Sequence, residues 1–200
     1  LQNQPIWSSV AVSRDGNRIA AITYDKDTSL YVYDPEKAQW ARFRLYNPTF
    51  SQGIKSAGPV YADAIEWSYD GESLVYDCFN SITNTNGTNI EYWDINIINV
   101  WDNGQNDFAE GEIVKLFNNL EPGESIGNPV FSKNSPYILA FDYINENSDL
   151  YGIVGLDIEN NKLDIIATNN TIGWPSFNKN DNRIAFTTRD GSGNYDVNYV

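Results

Sequence analysis

The side chains that could do chemistry in this sequence are almost all carboxylates. Histidine and methionine are absent, and Cys78 is the only cysteine. Without histidine, neither a Ser-His-Asp triad nor a Cys-His pair can form, and the commonest transition-metal ligand is missing. A lone cysteine cannot form an internal disulfide. The sequence therefore predicts that this segment is not an enzyme and has no catalytic residue, no cofactor and no metal site.

Two pairs of acidic residues could hold a hard cation such as Ca²⁺, which prefers several oxygen ligands. They are Asp25 with Asp27 and Asp102 with Asp107. Neither stretch has the spacing of an EF-hand loop, so solvated loop charge is the favoured interpretation. A carboxylate pair for glycoside hydrolysis stays open as well, because any two of the 27 acidic residues could meet in the fold.

The charge balance restricts the partners. The formal net charge is -14, so the field of the whole protein repels nucleic acid and anionic membrane surfaces. The 13 lysines and arginines are scattered, and only Arg42 and Arg44 lie close together. No apolar run approaches the roughly 20 residues that span a bilayer, so we expect no direct membrane insertion.

Four polar turns recur along the chain, each between two apolar stretches. The first two read Ser-Arg-Asp-Gly at 13–16 and Ser-Tyr-Asp-Gly at 68–71. The later two read Ser-Lys-Asn-Ser at 132–135 and Asn-Lys-Asn-Asp at 178–181. Glycine tolerates positive φ and aspartate can bond its own backbone, so these are hairpin turns. We expect the aspartates of the first two turns to accept backbone N–H groups rather than to act in catalysis.

Short strands on both sides of these turns divide the chain into four-stranded units. The turns begin 55, 64 and 46 residues apart. This repeat predicts an all-β fold, a β-propeller of four-stranded antiparallel blades with about three and a half blades in the chain. A β-sandwich is the alternative, because it too has many short strands. The predicted blades cover approximately 6–46, 62–118, 127–168 and 173–200, and the last is incomplete.

Several boundaries follow from the same pattern. The stretch from Asn47 to Pro59 contains two prolines and two glycines, and it is predicted to connect the first two blades. In the second blade, we expect a strand from Leu74 to Phe79 and a polar loop from Asn80 to Asn89. In the third blade, Val130 and Phe131 are expected to form the first strand.

The repeat resembles that of the TolB-type propeller family, in which an aromatic residue precedes Ser-Pro-Asp-Gly and a short apolar strand. Residues 67–71 and 74–76 match this pattern well, with Tyr69 where proline is usual. Residues 186–191 and 195–197 resemble the family's second turn and third strand. The third and fourth turns depart from it, because they end on Ser135 and Asp181 where glycine is usual.

The resemblance is specific for the fold, since propellers host many functions. Such propellers usually have six or seven blades, so the resemblance implies that 1–200 is a single partial propeller within a longer chain. It also implies a periplasmic, other cell-envelope or secreted location.

Candidate binding residues follow from propeller geometry, in which the innermost strands line a central channel. Trp7, Asp63, Asn128 and Trp174 stand just before the four innermost strands, so they would surround one mouth of the channel. Exposed tryptophan and asparagine there would suit a protein or peptide partner. The favoured interpretation, however, is that Trp7 and Trp174 simply pack between neighbouring blades, because large aromatic side chains dominate core burial.

The leading hypothesis is therefore a non-enzymatic scaffold that binds proteins or peptides. The alternative is an accessory propeller domain of a prolyl-oligopeptidase-type serine peptidase whose catalytic domain lies outside this chain. A third hypothesis, a sugar-active propeller, is disfavoured because the relevant lyases bind metal through histidine, which is absent here.

Overall fold

The computed structural model describes residues 6–23, 28–46, 59–83, 86–117 and 120–200. All regular elements within these ranges are β-strands. They form three four-stranded antiparallel sheets, one three-stranded sheet and one two-stranded hairpin. The prediction of about three and a half propeller blades is confirmed, and the β-sandwich alternative is wrong. The Asp25 and Asp27 pair, and the predicted connection at 47–58, lie outside the described residues.

The first two sheets are blades 1 and 2. Blade 1 comprises β1 (Trp7–Val12), β2 (Ile19–Thr23), β3 (Ser29–Asp34) and β4 (Gln39–Arg44). Blade 2 comprises β5 (Tyr61–Trp67), β6 (Ser73–Thr83), β7 (Asn89–Asn99) and β10 (Ile113–Lys115). The small hairpin of β8 (Trp101–Asp102) and β9 (Asp107–Phe108) lies between β7 and β10 in the chain.

The third and fourth sheets are blades 3 and 4. Blade 3 comprises β11 (Glu124–Phe131), β12 (Ile138–Asn145), β13 (Leu150–Asp157) and β14 (Lys162–Asn169). Blade 4 comprises β15 (Ser176–Phe177), β16 (Ile184–Arg189) and β17 (Tyr195–Tyr199). In all four blades, the strands pair in chain order as antiparallel neighbours.

The core is divided among the contacts between successive blades. One cluster joins blades 1 and 2, for example through Leu30 and Leu74. A second joins blades 2 and 3 through Ile95 and Phe141, and a third joins blades 3 and 4 around Phe177. Blades 2 and 3 each have a neighbouring blade on both faces, which explains the nearly continuous apolar runs of their central strands. Most of the hydrophobic stabilisation therefore comes from contacts between blades.

The predicted polar loop at Asn80–Asn89 is wrong at both ends, because Asn80 to Thr83 and Asn89 lie in strands. The ladder between β6 and β7 continues until Thr83 pairs with Asn89. Asn80 is fully buried, and its amide donates to the carbonyl oxygen of Cys78 at 3.2 Å. Polar side chains stay in this hairpin because hydrogen-bonding partners lie on the same strand or across the pair. The first strand of blade 3 also begins earlier than predicted, at Glu124.

The first two turns have the same hydrogen-bonding pattern. In the first, the Ser13 hydroxyl donates to Asp15 at 2.5 Å, and Asp15 accepts the backbone N–H of Asn17 at 3.1 Å. In the second, Ser68 donates to Asp70 at 2.5 Å, and Asp70 likewise accepts a backbone N–H. The prediction that these aspartates serve the turn is confirmed. The glycines that follow have φ of +77° and +71°, a region that favours glycine.

The fourth turn has the same backbone geometry as the first two, but different residues form it. Asp181 stands at the glycine position with φ of 55°, which aspartate tolerates better than most residues. The side-chain oxygen of Asn178 accepts the backbone N–H of Arg183 at 3.3 Å, as the Ser13 hydroxyl oxygen accepts the N–H of Arg18 in the first turn. The Asp181 carboxylate reaches the third turn, where it accepts the Ser132 hydroxyl at 2.8 Å and the Lys133 N–H at 2.7 Å. The fourth turn thus supplies the acid that the third lacks.

Candidate functional site

The first strands of the four blades face a common central space. On β1, Val10 and Val12 are 55% and 57% exposed, although they lie within a paired strand. The cleft that opens here, which we call the central pocket, has a volume of about 410 Å³. Its walls come from all four blades: Val10–Val12, Ala64–Glu66, Asn128–Val130, Lys133 and Trp174–Ser176.

Two buried aspartates hold the backbone at this pocket. Asp77 on β6 and Asp142 on β12 occupy equivalent positions, each three residues after the leucine that pairs with the last residue of the first strand. Asp77 accepts the backbone N–H of Ala64 in its own blade and that of Asn128 in blade 3, both at 2.7 Å. One carboxylate thereby joins two neighbouring inner strands.

Asp142 makes the corresponding connection from blade 3 to blade 4. It accepts the backbone N–H groups of Gly173 at 2.7 Å and Trp174 at 2.9 Å. It also accepts the side-chain amide of Asn128 at 2.9 Å. The two backbone bonds fix the main chain where it enters the central pocket, and the third holds the Asn128 side chain.

Burial shifts the acidity of both carboxyl groups. Burial raises the pKa of Asp77 to about 6, and this outweighs the backbone N–H groups of Ala64 and Asn128, which lower it. Burial likewise raises the pKa of Asp142 above the ordinary value, against the hydrogen bonds from Gly173, Asn128 and Trp174. Because both carboxyl groups accept backbone N–H groups of neighbouring blades, their role is to position the inner strands.

Two of the predicted site residues, Asn128 and Trp174, line the central pocket together. Both have positive φ, 50° and 45°. Each stands three residues before the phenylalanine that ends the first strand of its blade, Phe131 or Phe177. Trp174 is 52% exposed, so among the described residues it does not pack between two blades as the favoured interpretation expects. Asp63 is exposed at the irregularity of β5, next to the pocket residue Ala64.

Trp7, the fourth predicted residue, is not part of the pocket lining. Its indole stacks on Trp40 of the same blade, with ring centroids 5.9 Å apart and planes within 3° of parallel. It also meets Tyr31 edge-on at 5.7 Å. Tyr31 alternates along β3 with Leu30 and Val32, which pack against blade 2, so the Trp7 side chain lies over the opposite face of blade 1. Of the four predicted residues, the central pocket thus brings together Asn128 and Trp174, with Asp63 nearby.

A second cleft lies at the turn end of the same inner strands, and we call it the turn pocket. Its volume is about 490 Å³, and it shares Val12, Glu66 and Lys133 with the central pocket. Three basic side chains from three blades line it: Arg14, Lys133 and Lys179. These residues are far apart in sequence, so a search for local basic runs misses them. The signal that finds them is the repeat, because each is the second residue of its turn.

The acidic residues form no metal centre in the part of the chain that the structure describes. No group of three potential metal-ligating side chains occurs within those ranges. Asp102 accepts the backbone N–H of Gln105 at 3.0 Å, and Asp107 accepts that of Phe108 at 2.9 Å. These contacts agree with the interpretation of Asp102 and Asp107 as loop charges.

Known structures share this fold. TolB from Acinetobacter baumannii matches with a TM-score of 0.64 and 16% identity, covering 97% of this chain and 41% of that chain. A chain of a nidogen/laminin complex matches with a TM-score of 0.57 and 10% identity, covering 94% and 59%. A prolyl endopeptidase matches with a TM-score of 0.58 and 14% identity, covering 97% and 26%. No protein-family model matches the chain, and no curated protein matches it.

The chain is thus a β-propeller, and TolB-type propellers are among its structural neighbours. At these low identities the likeness establishes the fold alone. The chain spans 41% of the length of TolB and 26% to 59% of the other two structures. Within the described ranges there is no helix with the length and apolarity to cross a bilayer.

Proposed function

We propose that this propeller is a non-enzymatic scaffold that binds a protein or peptide partner at the central pocket. The observation that carries the proposal is the exposed indole of Trp174 on a main chain held by the buried Asp142. A rigid aromatic side chain at a concave surface loses little conformational entropy on binding, and such residues dominate interface energetics.

The surroundings of Trp174 support the same proposal. Pro129 and Pro175 lie in the pocket wall, where the fixed φ of proline reduces backbone freedom. Val10 and Val12 present apolar surface to the same space. An extended peptide could bury these side chains while bonding to the amide of Asn128. The acidic net charge favours partners that are neutral or basic.

Substitution of the aromatic anchor tests the proposal. The whole protein that carries this chain is used as bait in cell-envelope extracts, and bound proteins are quantified by mass spectrometry. We expect Trp174→Ala to reduce capture of the specific partner at least about tenfold, as expected for an interface hot spot. Tyr137→Ala is the matched control, because Tyr137 is 46% exposed and does not line the central pocket. Equal capture by both variants, or no stable partner together with peptidase activity, would contradict the proposal.

A second candidate is the accessory propeller domain of a prolyl-oligopeptidase-type serine peptidase. It is supported by the match to a prolyl endopeptidase, whose chain is longer than this one. The two candidates differ in what the same polypeptide carries beyond residue 200. An α/β-hydrolase segment with serine, aspartate and histidine, and hydrolysis of a prolyl peptide by the whole protein, would favour the peptidase.

We also propose that residues 1–200 form one partial propeller of a longer chain, with blades near 6–46, 62–118, 127–168 and 173–200. The exposed side chains of Tyr195, Val197 and Tyr199 on β17 support this, because they would pack against a following blade. We further propose a periplasmic or other cell-envelope location, on the resemblance to TolB-type propellers. An immunoblot of fractionated cells tests both: a cytoplasmic band near 22.6 kDa would contradict them.

A further inference from the structure

The turn pocket has a cationic rim in a strongly acidic protein. Arg14, Lys133 and Lys179 line it, whereas the formal net charge of the chain is -14. The fourth residue at the same turn position, Tyr69, also lines the pocket, and the Arg14 guanidinium lies 4.1 Å from the centre of its ring. The repeat therefore brings one position from each of four turns to a single cleft.

Contacts orient two of these cations. The Arg14 guanidinium donates to the backbone carbonyl oxygen of Lys133 at 2.6 Å and stacks on Tyr69, which fixes its plane. That bond occupies one of the five N–H donors of the guanidinium. The Lys133 ammonium pairs with Glu66 at 2.7 Å. Lys179 is exposed, and no carboxylate of the described residues lies within ion-pair distance of Lys179 or Arg14.

The nearby acids are already engaged. Glu66, the one acid in the pocket lining, accepts the ammonium of Lys133 and the backbone N–H of Phe131, the latter at 2.7 Å. Asp181 lies two residues from Lys179, but it accepts the hydroxyl of Ser132, the N–H of Lys133 and the amide of Asn134. Neither Arg14 nor Lys179 is therefore in direct contact with a carboxylate of the described residues at the pocket.

The pocket is apolar beneath this rim. Trp67, Phe131 and Phe177 line it, and each is at most 9% exposed. An apolar floor with an oriented guanidinium above it suits a ligand with an apolar body and one anionic group. Guanidinium groups bind carboxylates through paired hydrogen bonds, and a lysine adds a point charge.

We propose that the turn pocket binds a carboxylate carried on an apolar or aromatic body. Arg14 and Lys179 hold the carboxylate, and the apolar body lies against Phe131 and Phe177. The ligand is either a small organic acid or the C-terminal residue of a peptide, because both present the same group. A free acid needs no protein partner, so this binding is independent of the scaffold function proposed for the central pocket.

Titration of the whole protein with phenylacetate tests this assignment. Binding is measured by calorimetry and by the change in the indole N–H signals in NMR spectra. Phenylacetamide has nearly the same shape without the charge. We expect phenylacetate to bind, phenylacetamide to bind at least about tenfold more weakly, and binding of the acid to weaken with added salt. Equal binding of the two compounds, or no binding of phenylacetate at millimolar concentrations, would overturn the proposal.

Variants identify the residues involved. We expect Arg14→Gln and Lys179→Gln each to weaken phenylacetate binding about tenfold, and Arg14→Lys to retain part of it. Lys162→Gln is the control, because Lys162 lies on β14 with a side chain 70% exposed. Lys179 makes no ion pair among the described residues, so its substitution tests the site even if an Arg14 variant is unstable. Unchanged affinity in both Gln variants, or an equal loss in the control, would refute the assignment.

A second titration separates the two sources of the carboxylate. Acetyl-Ala-Ala-Phe with a free C-terminus is compared with phenylacetate and with the same peptide as its amide. Binding of the free-acid peptide about tenfold tighter than phenylacetate would identify a chain terminus as the ligand. Equal binding would identify a small organic acid.

Discussion

The carboxylate of Asp77 in blade 2 accepts the backbone N–H of Asn128 in blade 3 at 2.7 Å. This bond joins two inner strands through a side chain that is 2% exposed. The added Cβ of an alanine at Gly127 would lie 3.1 Å from an Asp77 oxygen, so the two blades approach closely at this point. A single buried acid thus links the inner strands of two blades beside the central pocket.

Asp77 makes stability depend on pH in an unusual direction. Its folded pKa of about 6 lies above the ordinary value of 3.8, so between these values the folded state binds more protons than the unfolded state. Stability therefore falls as pH rises from about 4 to about 6, by at most about 3 kcal/mol for two pKa units. We expect Asp77→Asn to remove this part of the pH dependence. Urea unfolding at several pH values measures the free energy of unfolding of both proteins. If it depends on pH between about 4 and 6 as steeply in the variant as in the original protein, the prediction is wrong.

Gly71 and Gly16 occupy equivalent turn positions but have different surroundings. An alanine at either would adopt positive φ, at a cost of about 1 kcal/mol. At Gly71 the new Cβ would lie 3.0 Å from Nη2 of the buried Arg18, whereas at Gly16 no atom lies within 4 Å. We expect Gly71→Ala to destabilise more than Gly16→Ala, and thermal unfolding of the two variants compares them. Equal losses would show that the Arg18 contact adds nothing.

Asp181 links the fourth turn to the third through its side chain. Asp181→Gly keeps the positive φ but removes the bonds to Ser132 and Lys133, so we expect a loss of about 1 to 2 kcal/mol. Asp149→Gly is the control, because Asp149 also has positive φ, 51°, and an exposed side chain. We expect the control to be neutral or slightly stabilising. Chemical denaturation measures both, and a neutral Asp181→Gly would mean that the link is not stabilising.

Lys115 and Asp94 form a buried ion pair in blade 2. The ammonium lies 2.5 Å from the carboxylate, and the side chains are 4% and 0% exposed. Removing only one charge leaves the other buried, so we expect Lys115→Met to cost about 3 to 5 kcal/mol. The double variant Lys115→Met, Asp94→Asn removes both charges and should recover part of the loss. A double-mutant cycle measures the coupling, and simple additivity would argue against a strong interaction.

Much of the fold follows from local sequence. A Gly after Asp permits the positive φ of the first two turns, and the strands on both sides pair because such turns reverse the chain. The length of the β6–β7 hairpin does not follow from local sequence. Ser81, Asn89 and Glu91 are polar enough for a loop, and they stay in the ladder because they hydrogen-bond across it.

The candidate sites follow from the sequence only in part. The repeat pattern predicts Asn128 and Trp174 as site residues, and both line the central pocket, whereas Trp7 at a similar place in the repeat stacks on Trp40. The roles of Asp77 and Asp142 have no local signal, since their partners belong to the next blade.

The order of residues along the chain is sufficient for the repeat, the turns and the all-β class, because these depend on neighbours a few positions apart. The placement of Arg14, Lys133 and Lys179 around one pocket depends on how the blades pack, which joins positions more than 100 residues apart. Packing between blades also decides which carboxylates lose their water and shift in pKa, because burial is a property of the assembled core.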